Sequence, residues 1–452
     1  MQTRRLALGI LLAASCSPKP PQAPPPATPA APAPVRAAVP LVMPPPPKLR
    51  LPDTAVPRRQ AVTLDLDPGR ETFQGNTRID LELLQQTNVI WLHSSGLQIH
   101  RVQIQGAAVE FLTPMQSDEF LALVADRTLE PGAVALDIDF SGKLPARDGR
   151  GAYRQEERGD WYIFTQFEST DARRAFPCFD EPSFKIPWQI TLDVPQASLA
   201  FANTAMTGQK SLGGGIKRVS FAPTRPLPSY LVAFAVGPFE VVDAGQIGRK
   251  PTPLRIIVPK GKTDEAAYAV KTTGEVVKRL EEYFDIPYPY DKLDHIAVPQ
   301  KGGAMENPGL ITYGTGTILG KPGEKNIGLE RGYLGIAAHE LGHIWFGDLV
   351  TTSWWDDIWL NEAFATWISA KIVNDMHPDW QGDASRVQSR SGIMRSDALA
   401  SARRIRQPIE SKHDIANAFD GITYQKGAAV ITMWESFEIG RASCRERVCL
   451  VV

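Results

Sequence analysis

His339 and His343 stand four residues apart and bracket Glu340 inside the apolar run 336–346. Residues at that spacing share one face of a helix, so two imidazoles can address a single ion. A catalytic zinc takes three protein ligands and keeps its fourth position for water, so the pair requires one more. Glu362, separated from His343 by eighteen residues and in the frame Trp359-Leu360-Asn361-Glu362, opens the next helical stretch and supplies that ligand. The completed set, more than the five-residue pattern alone, predicts one Zn2+ per chain on His339, His343 and Glu362. Glu340 would then face the water. Zinc lowers the pKa of that water from about 15.7 towards about 7, and a neighbouring carboxylate can take its proton. Glu340 is therefore the expected general base.

These residues need elements to hold them. Helical spacing of apolar residues runs over 264–284, about 329–346 and about 361–375. Two antiparallel helices joined by a loop would carry Glu362 to the histidines. Upstream, residues 61–66, 78–83 and 135–140 alternate apolar and polar, and strand-like runs follow at 188–194, 230–236 and 254–258. The expected fold is multi-domain: an N-terminal all-β, saddle-like sandwich domain over 51–245, then an α+β catalytic domain over 246–438. Cys178, among Phe176, Pro177 and Phe179, reads as a buried apolar residue. Trp345, Trp354, Trp355 and Trp359 read as packing around the metal-bearing helices.

Composition narrows the function. Forty-nine Lys and Arg against fifty Asp and Glu give a formal net charge of −1, which excludes a nucleic-acid binder by wholesale basic charge. Four cysteines in 452 residues exclude a disulfide-built scaffold. No apolar run reaches the ~18 residues of a membrane span. Arg4 and Arg5, the apolar run 6–14 and small residues before Cys16 read as a signal peptide over 1–15, with Cys16 the lipidation site of an exported lipoprotein. The alternative is ordinary cleavage and secretion. Residues 16–50 are Pro/Ala-rich and read as an extended stalk. The last stretch, 439–452, reads as a non-native tail.

Gly303-Ala304-Met305-Glu306-Asn307, followed by the His339-Glu340-x-x-His343 pattern and Glu362, resembles the aminopeptidase N family of zinc metallopeptidases. The stretches 165–182 and 228–237 resemble that family's N-terminal-domain signatures. The resemblance implies that the catalytic domain is thermolysin-like and that this chain ends inside it. It implies that Gln166, Glu168 and the segment Gly303, Ala304, Met305, Glu306 and Asn307 bind the substrate around its free α-amino group. It also implies that Tyr424, in Thr423-Tyr424-Gln425-Lys426-Gly427, stabilises the tetrahedral intermediate, a role that suits a phenol donor. The partners expected are peptides with a free N-terminus, with a lipid anchor to a membrane and no nucleic acid. A zinc endopeptidase and a non-catalytic surface-anchored binding protein of the same fold stand as alternatives. Gly302 leaves the side-chain preference at the cleaved residue open.

Overall fold

The computed structural model describes residues 45–437 apart from 105, 106, 108, 113–117 and 147. The expected signal peptide, Cys16, the stalk up to residue 44 and the tail 439–452 lie outside the described residues. Among the described residues no helix is long and apolar enough to cross a membrane.

Period-two sequence becomes period-two burial. Trp188–Pro195 alternates buried and half-buried side chains along its whole length. Such strands can bury one face and wet the other, so they stack into antiparallel sheets over one core. The largest sheet has seven strands in the order Met206–Gly213, Ile216–Phe221, Trp188–Pro195, Ala55–Asp65, Thr72–Leu83, Gly132–Lys143 and Gln98–Ile104. One pair breaks the antiparallel rule: Ala55–Asp65 runs parallel to Trp188–Pro195, with Gln60 opposite Trp188. A three-stranded sheet (Thr87–His93, Phe120–Leu129, Val109–Leu112) and a four-stranded sheet complete this β domain. The four-stranded sheet orders Leu199–Ala202, Phe234–Gly237, Asp160–Gln166 and Gly151–Glu157.

The mixed α/β part follows. Its five-stranded sheet orders Phe239–Ile247, Thr252–Pro259, Leu293–Val298, Leu310–Gly314 and Ala304–Met305. The helices Ala267–Phe284, Ile327–His343 and Ile358–Met376 pack with it around a second core that includes Val276, Leu280, Leu334, Leu341 and Ile368. A third cluster, with Tyr162, Phe164 and Phe239 at its centre, joins the four-stranded sheet to the five-stranded one. The expected domain junction at 245/246 falls inside Phe239–Ile247, a strand of the five-stranded sheet. The chain changes sheets at Pro238, between Phe234–Gly237 and that strand.

Two elements differ from the sequence reading. The apolar run 230–236 is a 3-10 turn, Ser229–Leu231, and only then a strand, Phe234–Gly237. The run is buried on every side, so its composition carries no period to distinguish a turn from a strand. The helix expected over 329–346 spans Ile327–His343 instead.

Candidate metal centre

Asn326 starts the first helix of the site, its side-chain oxygen accepting from the Leu329 N–H at 3.1 Å. The helix stops at His343 because the chain turns through Gly347 at φ +140°, and the Asp348 N–H donates to the His343 carbonyl at 2.9 Å. The second helix, Ile358–Met376, begins four residues before Glu362. Glu362 thus lies one turn inside that helix, where its backbone is fixed, and not at the helix start. The two helices approach closely at Gly342: a Cβ there would lie 2.7 Å from Ile368 Cγ2.

This approach brings three ligand atoms together. His339 Nε2 is 3.1 Å from His343 Nε2, and Glu362 Oε2 is 3.2 Å and 3.4 Å from the two nitrogens. A tetrahedral ion with bonds of ~2.0–2.1 Å has ligand–ligand edges of about 3.3–3.4 Å. The triangle of two imidazoles and one carboxylate therefore fits a zinc-sized ion, and these three residues form a group that could hold one. The His343 Nδ1 N–H donates to the Phe346 carbonyl at 3.1 Å, which turns Nε2 towards the centre. Burial pushes the Glu362 carboxyl up, but the two imidazoles outweigh it and hold the group at about 2, ionised and ready to bind a cation.

Around the triad the site is acidic and covered. Glu340 and Glu306 are buried, and Glu168 Oε1 is buried without a hydrogen-bond partner. Burial raises all three carboxyls above the ordinary range, and neighbouring carboxylates push in the same direction. Glu306 Oε1 lies 4.0 Å from His343 Nδ1.

The 303–307 segment is held from both sides. Gly303 makes a turn at φ +68°, and Ala304 and Met305 pair with Tyr313 and Thr312 at the sheet edge. The Asn307 side chain donates to the Leu231 carbonyl at 3.2 Å. From the β domain, Asn203 Nδ2 donates to Leu231 O at 2.9 Å and Pro308 O at 3.0 Å. Gln166, at the end of Asp160–Gln166, lies against the same segment, with Nε2 3.4 Å from Met305 Sδ. Its Oε1 accepts from Lys301 Nζ at 2.5 Å.

Tyr424 sits in the π-helical turn Ile422–Lys426, and its ring stacks on that of His339 with centroids 6.0 Å apart. Burial first, and then the charge of Glu362, push its phenol above the ordinary range, so it stays a neutral donor. Arg403 braces this turn through Asp420, the Ala418 carbonyl and Thr423 Oγ1.

The structure thus gathers His339, His343, Glu362, Glu340, Glu306, Glu168 and Tyr424 around one centre, with Gln166 at its edge. Cys178 is a buried free thiol, and Trp345 and Trp355 are buried in packing. Sequence reasoning missed Lys301, Tyr230 and Asp348. Asp348 is buried with neither carboxylate oxygen hydrogen-bonded, and the Tyr230 hydroxyl is likewise without a partner. Lys301 adjoins the Gly302-Gly303 step and Asp348 follows His343 by five residues, so adjacency to the motifs was the available signal.

Comparison with known proteins agrees with this geometry. The Peptidase M1 N-terminal domain matches residues 56–231, and the Peptidase family M1 domain matches 268–446. Aminopeptidase M1-D of Oryza sativa subsp. japonica is 35% identical over 395 residues, covering 86% of this chain and 45% of that protein. Aminopeptidase M1 of Arabidopsis thaliana is 35% identical over 407 residues, with the same coverage of each chain. Endoplasmic reticulum aminopeptidase 1 of Homo sapiens is 33% identical over 404 residues, 86% of this chain and 43% of that protein. The chain therefore spans a little under half the length of these relatives. With both matched domains in order and the ligand triad between two helices of the second, this chain belongs to peptidase family M1.

Proposed function

We propose that the protein is a zinc-dependent aminopeptidase that removes the N-terminal residue from peptides. One observation carries the reading: buried Glu306 and half-buried Glu168, its Oε1 covered and without a partner, form an acidic recess beside the triad, and among the described residues no Lys or Arg is bonded to either. Carboxylates gathered in a covered recess, with the neighbouring Lys301 ammonium hydrogen-bonded to Gln166 and not to them, are costly and favour a bound cation. A peptide's α-amino group, with pKa ~7.7–8.0, is largely cationic at neutral pH and supplies it. Held there, the substrate can present only its first peptide bond to the centre, which gives the entropic advantage of a positioned reactant.

His339, His343 and Glu362 would hold the zinc, which when bound supplies Lewis acidity towards the scissile carbonyl and a lowered pKa for the attacking water. Glu340 takes the proton of that water and returns it to the leaving amine. The Tyr424 phenol donates to the carbonyl oxygen as charge develops there. Gln166, Gly303, Ala304, Met305 and Asn307 position the recess. For the N-terminal segment we infer export, with residues 1–15 a signal peptide, Cys16 a lipid anchor at the periplasmic or cell-surface side of a membrane, and the Pro/Ala-rich stretch a stalk. Peptide catabolism is the role this arrangement suits.

The direct test is hydrolysis of an aminoacyl reporter amide by the purified full chain. A chelator should abolish cleavage and stoichiometric zinc should restore it. Absence of hydrolysis in zinc-loaded protein would count against the proposal.

A further inference from the structure

The proposed reaction gives no task to Lys301, whose half-buried side chain stands at the wall of the amine recess. Its Nζ donates to Gln166 Oε1 at 2.5 Å, and among the described residues no carboxylate forms an ion pair with it. Burial lowers the Lys301 pKa while the charges of Glu340, Glu168 and Glu306 oppose that, so all three carboxylates of the centre act on this ammonium through space. In a bound complex the substrate's α-ammonium takes up Glu306 and Glu168. The Lys301 charge is then left facing a neutral amide alone.

That bond also fixes what Gln166 offers. An ammonium has three donors and no acceptor, so only the amide oxygen of Gln166 can face it. The amide N–H groups are thereby turned the other way, with Nε2 3.4 Å from Met305 Sδ, a weak acceptor. One N–H of Gln166 and two of Lys301 remain unused. Together the two residues present donors and a positive charge, with the amide oxygen turned into the lysine. Beside them the chain is open: Gly302 and Gly303 are exposed, and a Cβ on either would meet nothing within 4 Å. The segment between Lys301 and Ala304 therefore leaves room for a substrate side chain.

We propose that Lys301 sets the charge selectivity for the first residue of the substrate, so that the recess prefers peptides beginning with Asp or Glu and disfavours those beginning with Lys or Arg. The inference rests on the aminopeptidase reading, because it needs the α-amine held on Glu306 and Glu168. So held, the first α-carbon stands at the recess and its side chain starts beside the 301–303 segment. A side-chain carboxylate accepts from the Lys301 ammonium and from Gln166 Nε2, a charge-assisted pairing. A side-chain ammonium or guanidinium meets only donors and a like charge there, which is how a site rejects a competitor. An apolar side chain gains and loses neither.

Hydrolysis of glutamyl, leucyl and lysyl reporter amides by the zinc-loaded full chain tests this. The order of kcat/KM should be glutamyl, leucyl, lysyl, with the glutamyl-to-lysyl ratio about tenfold or more, the discrimination expected of a charge-assisted hydrogen bond. Lys301→Met should bring that ratio down to unity or below, chiefly through KM, and Lys301→Arg should keep the order. A ratio cancels any loss common to all substrates, so a purely structural role for Lys301 would leave it unmoved. Lys301→Gln repeats the test should the Met variant not fold. Leucyl cleavage with equal glutamyl and lysyl constants, a lysyl preference in wild type, or a ratio unchanged in the neutral variants would overturn the inference and leave the aminopeptidase reading in place. No cleavage of any of the three reporters would overturn both.

Discussion

Replacing Gly342 by alanine separates helix propensity from the helix approach that builds the metal triangle. In a free helix the change should stabilise by about 1 kcal/mol. Here the new Cβ would stand 2.7 Å from Ile368 Cγ2, about 0.7 Å inside the 3.4 Å of ordinary contact. Ile368 is fully buried and β-branched, so it cannot rotate away, and the strain passes to the helix that carries Glu362. Overpacking of this kind costs about 1–3 kcal/mol. The shift also exceeds the ~0.2 Å tolerance of a metal-ligand bond. Gly335 is the internal control: it lies in the same helix, and a Cβ there meets nothing within 4 Å. Gly335→Ala should therefore stabilise by about 1 kcal/mol with zinc affinity unchanged. Gly342→Ala should be about 1–3 kcal/mol less stable than that control and bind zinc about 10–100-fold more weakly. Urea melts and chelator competition on the full chain measure both quantities. Equal stability and equal zinc affinity in the two variants would refute the reasoning.

Other outcomes follow from the same site. Glu362→Gln should lower zinc content by elemental analysis, whereas Glu340→Gln should retain zinc and lose hydrolysis; full zinc in the first variant removes Glu362 from the ligand set. Tyr424→Phe should cut kcat about 10²–10³-fold with KM little changed, the loss expected for one donor to a developing oxyanion, and a change confined to KM would reassign the residue to substrate binding. Burial pushes His295 down to about 3, against the opposing pull of Asp294, so the folded protein keeps it neutral while the unfolded chain protonates it below ~6.5. Its contribution is complete above pH ~6.5 and is lost at up to ~1.4 kcal/mol per pH unit as pH falls towards 3. Melts of wild type and His295→Gln across that window should show the smaller pH slope in the variant, and parallel slopes would contradict the assignment.

The metal ligands were legible because helical periodicity alone places His339 and His343 on one face and offers Glu362 from the next helix. Helix ends were less so. The stop at His343 depends on the Asp348-to-His343 backbone bond, which no side-chain pattern announces. Gly342 reads in sequence as a helix-weakening residue, and only the neighbouring helix shows why the position is small. Lys301 gave no more than its place beside the Gly302-Gly303 step, for a similar reason: the group that positions it, Gln166, is 135 residues away. The change of sheets at Pro238 has no signal in the sequence, because Phe239–Ile247 alternates like the strands before it and differs only in which sheet it joins.

The claim on which the rest depends is that Glu306 and Glu168 hold a cationic α-amine beside the metal centre. The measurement that addresses it most directly is the ratio of kcat/KM for a free aminoacyl reporter amide to that for its N-acetyl form, in zinc-loaded wild type and in Glu306→Ala. The free substrate should be cleaved and the acetylated one left intact by wild type, and Glu306→Ala should lose most of its activity on the free substrate while keeping its zinc. Comparable rates on free and acetylated substrates in wild type would contradict the account and make the protein an endopeptidase.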